Sequence, residues 1–290
     1  MLFPHHLSES DKVVSALVRK SHDAPMDFHK TVNWALGADR SRPGKKFETV
    51  WGYGSPYWDA LTDEQRIEVS WLETARDVSV FINLEKILPE LLGSYTKRYY
   101  ESLAPEVEEY LMIFAKEEIM HILTFRRYLA AAGLRQHPPI KYFYDLADVL
   151  RESPPEVGLI FTLLIEWCAE EKAIQGSQHD EVDALTREMY WAHHMDEARH
   201  IAFGRHVAER YFERTPAAQT AELRGKLKEM VLRIMHAVPD IAPYASFALP
   251  IDLADDEAVN AVRQTPHYQS QIEDRYGSIL KWCGKVGIMA

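Results

Sequence analysis

The sequence predicts an all-α protein: a bundle of long helices, with further helices added at its N- and C-terminal ends. Three observations predict it. Apolar residues recur at helical spacing between recognisable start and stop residues, and no segment alternates in the manner of a strand. Twice, a glutamate on an apolar helix, Glu85 or Glu166, is followed about thirty residues later by Glu-x-x-His, as Glu118/His121 or Glu197/His200. Two matched helix pairs of this kind are what a bundle with two metal ions in its core requires.

The elements follow in order. Residues 1–60 are mixed, with a short helix expected near Asp11–Lys20 and then the aromatic segment WGYGSPYW, whose rings are expected to pack. From Leu61 the pattern turns helical: Thr62 and Gln65 fit a capping box, and apolar positions at helical spacing run to about Tyr100. Pro89 cannot donate the helix bond to the carbonyl of Glu85, so a bend or a boundary is expected there. A second long helix should start near Pro105 and stop at Gly133, and residues 141–152 read as a short connecting helix. A third follows Pro154–Pro155 and is expected to run to about Gln175 and close at Gly176. The fourth spans about Glu181–Arg214 and the fifth about Ala217–Ala237. Residues 239–265 read as an irregular acidic wrap before a terminal helix near 266–283. One domain over residues 1–290, with its core bundle at about 61–238, is the simplest account.

Composition narrows the function. With 33 Lys and Arg against 44 Asp and Glu, the net charge is −11, which disfavours nucleic acid as a partner. Cys168 and Cys283 are too few for a disulfide scaffold or a cysteine zinc site, and suit a reducing compartment. The N-terminus lacks the basic and apolar runs of a signal peptide, and VGLIFTLLIEWCA is too short to span a bilayer. The expectation is a cytoplasmic protein with no membrane partner.

The chemistry lies in the repeated motif. Helix positions three and four apart share a face, so Glu118 projects with His121, and His193 and Glu197 with His200. Each set sits among apolar residues, where an unpaired carboxylate would cost several kcal/mol. Roughly one Glu-x-x-His is expected by chance in such a chain. Two, each preceded by a helical glutamate at offsets of 33 and 31 residues, are not. Four glutamates balance two divalent cations, and oxygen-rich ligation with a few imidazoles suits iron or manganese.

Neighbouring residues are weighed against these. Asp196 and Glu117 precede Glu197 and Glu118 in matched positions, and are expected to serve His121 and His200 respectively across the bundle. Arg199 is placed to pair with one of these carboxylates. Glu170, one turn after Glu166, is its rival; Glu166 is preferred for its more apolar neighbours and its offset. Glu90 ranks below Glu85 for the same reason. His194 points away from the stripe and is expected to pack or hydrogen-bond, while Cys168 and Tyr190 are expected in the core. The expected metal ligands are therefore Glu85, Glu118, His121, Glu166, His193, Glu197 and His200, with no catalytic residue beyond them.

The run HHMDEARHIAFGRH, with Glu118-x-x-His121, Glu85 and Glu166 upstream, resembles the di-iron arylamine N-oxygenases, which include p-aminobenzoate N-oxygenase and a relative in chloramphenicol biosynthesis. One helix in that family supplies His-x-x-x-Glu-x-x-His, as His193, Glu197 and His200 do here. The resemblance spans about residues 60–240. It implies a ferritin-like, usually dimeric oxygenase of natural-product biosynthesis, with a non-haem centre of two iron ions (Fe2+/Fe3+) and manganese an option at one position. It also implies dioxygen, a small-molecule amine oxidised through hydroxylamine towards nitroso or nitro, and an external electron donor, since no flavin or nicotinamide motif is visible. Against it stand another di-iron oxidase, such as a C-hydroxylase or desaturase, and an iron-storage or ferroxidase protein.

Overall fold

The structure is a computed structural model that describes residues 7–139 and 141–289, without the side chains of 141–144. Among the described residues there is no strand. The chain opens with α1 (Lys12–Asp23), capped by Asp11, whose carboxylate accepts from Val13 N at 2.7 Å. Two one-turn helices follow, α2 (Phe28–Thr31) and α3 (Pro56–Asp59). Neither is long enough to carry a helical period, which is why the pattern did not reveal them. In the aromatic segment Trp51, Tyr57 and Trp58 are buried, as expected.

The helix α4 (Asp63–Glu85) begins with the expected capping box: Gln65 N donates to Thr62 Oγ1 at 3.3 Å, and Thr62 N to Gln65 Oε1 at 3.0 Å. Such a cap is worth about 1 kcal/mol. The apolar run does not continue unbroken to Tyr100. It breaks directly after Glu85, and α5 (Leu88–Tyr99) restarts with Pro89 in its first turn, where a missing N–H costs nothing. Pro105 opens α6 (Pro105–Ala131), and Gly133 follows with φ +62°. The connecting helix α7 (Lys141–Glu152) leads to α8 (Pro155–Ser177). Gly176 lies inside α8 rather than ending it, and its carbonyl accepts from Lys46 N at 2.6 Å.

Asp183 caps α9 (Ala184–Arg214), three residues later than the spacing placed its start; α10 (Ala217–Met235) follows. The acidic stretch read as irregular contains α11 (Asp256–Arg263), capped by Asp255, and the chain ends on α12 (Pro266–Lys285).

Packing is most extensive between α8 and α9, between α5 and α6, and between α4 and α6. The segment before α1 and the helix α12 are both fastened to α9. Asp11 Oδ2 accepts from His206 at 2.7 Å and from Arg210, while Glu9 pairs with Arg210 and Arg214. On α12, Trp282 Nε1 donates to Glu209 at 2.8 Å. Among the described residues, buried apolar side chains form two clusters. The larger runs from Leu7 to Ile288; the smaller holds Phe28, Phe81, Phe125 and Tyr190 with their neighbours. The polar centre described next lies where these two clusters meet.

Candidate metal centre

Four helices converge on this centre. Glu85 comes from the last residue of α4, Glu118 and His121 from α6, Glu166 from α8, and His193, Glu197 and His200 from α9. All seven side chains are buried, Glu118 and His121 completely. They form two overlapping donor sets, Glu85/His121/His193/Glu197 and Glu118/His121/Glu197/His200, whose ligand atoms lie within 4.8 Å of one another in each set.

Glu197 joins the sets. Its Oε1 is 3.1 Å from His121 Nδ1 and 3.3 Å from His193 Nε2, while its Oε2 is 3.1 Å from His200 Nδ1. The two oxygens of one carboxylate thus face different imidazoles. On the other flanks Glu85 Oε1 is 3.2 Å from His193 Nε2, and Glu118 Oε1 is 3.0 Å from His200 Nδ1 without hydrogen-bond geometry. Glu166 belongs to neither set. It is buried on the face of α8 turned to the same carboxylates: burial, then the charges of Glu197 and Glu118, pushes its carboxyl well above the usual range.

The outer ring nitrogens are each held by a carboxylate. His121 Nε2–H donates to Asp196 Oδ2 at 3.0 Å, and His200 Nε2–H to Glu117 Oε2 at 3.0 Å. These are the two cross-bundle pairings the matched positions implied. A carboxylate can only accept, so it takes the Nε2–H and turns Nδ1 of each ring inward, where the ring offers a lone pair to a cation once that nitrogen has lost its proton. Arg199 Nη2 ties the two together, donating to Glu117 Oε1 at 2.9 Å and to Asp196 Oδ1. His193 is held the other way round: Nδ1 lies 3.0 Å from Glu170 Oε2, and Nε2 faces the cluster. Glu170 also takes His194 Nδ1 at 2.7 Å, so His194 is the hydrogen-bonding residue expected of it. Sequence ranked Glu170 only as a rival ligand. Its position one turn beyond Glu166 could not show that it faces the back of His193.

An aromatic shell closes around these groups. Phe114 stacks on His200 at 3.8 Å, Phe81 and Phe125 flank His193 at 4.9 and 4.7 Å, and Phe28 meets His121 edge-on at 5.2 Å between ring centroids. In this low-polarity setting burial alone would discharge the imidazoles, yet Asp196 and Glu197 hold His121 up at about 10. Burial and Glu197 push Glu118 up to about 7. Glu197 itself is held well below the carboxylate range by His200, His121 and His193 against the opposing effect of burial.

The donor chemistry fits a pair of cations. Glu85 Oε2, both oxygens of Glu118, Glu166 Oε1 and His121 Nδ1 are buried with no hydrogen-bond partner. Each orphaned group of this kind costs about 1–3 kcal/mol. They are carboxylate oxygens and an imidazole nitrogen gathered at one point, which a hard or borderline cation would satisfy together.

A family model described as p-aminobenzoate N-oxygenase AurF matches residues 8–287. No curated protein matches the chain.

Proposed function

The chain belongs to the p-aminobenzoate N-oxygenase AurF family, and from that premise we propose that it uses two iron ions and dioxygen to N-oxygenate a small aryl amine. The residues that would hold the ions are Glu85, Glu118, His121, Glu166, His193, Glu197 and His200. The observation that supports this reading best is the overlap of the two donor sets at His121 and Glu197, of which Glu197 offers two carboxylate oxygens that face different imidazoles. The reading treats the chain as one domain, supported by the apolar cluster that joins Leu7 to Ile288.

Bound iron supplies dioxygen activation and the redox equivalents. The protein supplies the rest. Asp196 and Glu117 keep the Nε2 protons of His121 and His200 in place, so that both rings present Nδ1 in every turnover. Arg199 donates to both carboxylates; burial opposes charge on Asp196, but His121, His200 and Arg199 hold it below its usual range. Phe28, Phe81, Phe114 and Phe125 exclude water from the ring faces. Electrons come from an external donor in this reading, and a homodimer is expected from the family resemblance. Met112, Ile119 and Leu123, exposed along one face of α6, support that expectation. Among the described residues no helix is long and apolar enough to cross a membrane.

The test is direct. Protein loaded anaerobically with Fe2+ and then given dioxygen and an aryl amine should yield hydroxylamine, nitroso or nitro product, with about two irons per chain. Desaturation of an acyl substrate, hydroxylation at carbon alone, or iron oxidation without an organic product would each replace this reading.

A further inference from the structure

We propose that Thr162 and Tyr110 form a hydrogen-bonding station for a small polar ligand of the metal centre, a water molecule or a small anion, on the side of the ions facing His200; the inference rests on the metal-binding reading above. Both hydroxyls are buried where the fold gives them nothing to bond. Thr162 is 1% and Tyr110 0% exposed, and neither Thr162 Oγ1 nor the Tyr110 phenol oxygen has a hydrogen-bond partner. Other buried hydroxyls on these long helices do. Thr74, Ser79 and Thr124 donate to the carbonyl four residues back, at 2.8, 2.6 and 2.9 Å. Tyr95 donates to Leu150 O at 2.9 Å, and Tyr128 shares a bond of 2.6 Å with Thr186 Oγ1. Thr162, inside α8, does not take the carbonyl of Gly158 in this way. Valine has the same shape without a stranded oxygen, so packing gives no account of this hydroxyl.

Helix geometry turns both residues toward the ligands. Thr162 lies one turn before Glu166, on the face of α8 that also carries Glu170. Tyr110 lies on the face of α6 that carries Phe114, Glu118 and His121. The two meet at one level of α9. Leu163, next to Thr162, packs so closely on Gly204 that a Cβ there would come within 2.8 Å of it, and the neighbouring Phe203 takes the ring of Tyr110 at 4.7 Å between centroids. That level is one turn beyond His200, whose ring stacks on Phe114. Burial pushes the Tyr110 phenol above its usual range, so it stays a donor; the charges that act on it are those of His200, Glu117, Arg199 and Glu197.

The unpartnered oxygens of Glu118 and Glu166 stand on the same two helix faces. An ion bound to those oxygens and carrying one small ligand would give both hydroxyls the acceptor they lack, and the hydroxyls would favour ligands that accept hydrogen bonds. A cavity of about 160 Å³, lined by Phe81 before Glu85 on α4 and by Cys168 and Lys172 beyond Glu166 on α8, lies at the opposite end of the centre. The station therefore leaves that space free for an organic substrate.

Azide, added to the iron-loaded, oxidised full-length protein and followed by the absorption band it gives on ferric iron, tests this. Thr162→Val and Tyr110→Phe should each weaken azide binding about tenfold, the loss of one buried hydrogen bond, while Thr162→Ser retains most of it. In metal-free protein Thr162→Val should unfold at the same or a higher urea concentration, because the hydroxyl it removes has no partner in the fold. Unchanged azide affinity in both folded variants overturns the inference. A lowered urea midpoint for metal-free Thr162→Val also overturns it, by showing the hydroxyl already in use. Weakened azide binding in the variants, with no aryl amine oxidised by the unaltered protein, keeps the station and removes the oxygenase reading. Amine oxidation, with azide binding indifferent to both hydroxyls, does the reverse.

Discussion

The Nε2–H of His121, on α6, donates to Asp196 Oδ2, on α9, at 3.0 Å, so that Nδ1 of the ring faces the carboxylates. Asp196→Asn keeps the shape but replaces an acceptor of fixed charge with an amide that orients the ring poorly. Metal affinity should fall by about 10- to 100-fold, the usual cost of losing such a partner. Glu117→Gln should do the same through His200. Titration with Fe2+ or Mn2+, alongside circular dichroism to confirm the fold, measures both; unaltered affinity would leave the two carboxylates as bundle salt bridges with Arg199.

Substitution of the central groups should separate by ion. Glu197→Ala, whose oxygens face both sides, should remove most of both metals, as should Glu118→Ala with His121→Ala. His200→Ala should spare one, because its Nδ1 faces only Glu118 and Glu197. Metal per chain on folded variants decides it, and full occupancy after Glu197→Ala would refute the assignment.

Glu166 and Glu170 should part company. Glu166→Ala should lose metal, since its Oε1 is buried without a partner. Glu170→Gln should keep the metal and disturb His193, through which it acts. His193→Ala should keep the fold and alter the stopped-flow spectrum of reduced protein mixed with oxygen; an unchanged spectrum and turnover would reduce His193 to a packing residue.

Stability should carry a pH signature from Glu156, buried in the first turn of α8, whose carboxyl burial pushes up to about 7. The folded state then holds a proton that the unfolded chain has lost, so this group's contribution is full below about pH 4.5 and disappears as pH rises through 7. Glu156→Gln should therefore stabilise the protein by about 1–3 kcal/mol above pH 7 and by nothing near pH 4. Urea midpoints across that range will show it; an equal gain at both ends would trace the effect to packing.

Gly158 is a steric requirement of the same helix. A Cβ there would overlap the hydroxyl of Tyr95, which is buried and donates to Leu150 O at 2.9 Å. Gly158→Ala should cost about 1–3 kcal/mol by overpacking. Adding Tyr95→Phe should recover part of that loss, because the clashing oxygen goes; a denaturant-unfolding double-mutant cycle with no coupling would contradict the contact.

The long helices and the polar core were legible in the sequence because both are written at short range. Helical period, caps such as Thr62 with Gln65, and spacing three or four along one helix need no tertiary information. Glu118 with His121, and His193 with Glu197 and His200, are fixed to a common face by 3.6 residues per turn alone. The matched carboxylates Asp196 and Glu117 could be paired with opposite histidines because the two halves repeat. The one-turn α2 and α3, and the short α11, were missed since so few residues show no period.

What only the folded chain decided are relations between helices. Crossing geometry determined that Glu170 backs His193, that Glu166 stands outside both donor sets, and that Arg199 binds two carboxylates rather than one. It also gathered Arg76 and Asp77 of α4, Lys172 of α8, Arg233 of α10 and Arg275 of α12 around one cavity. Sequence sets which face of a helix a residue occupies; which neighbour meets that face depends on how several buried faces are satisfied at once, and that balance exists only in the packed bundle.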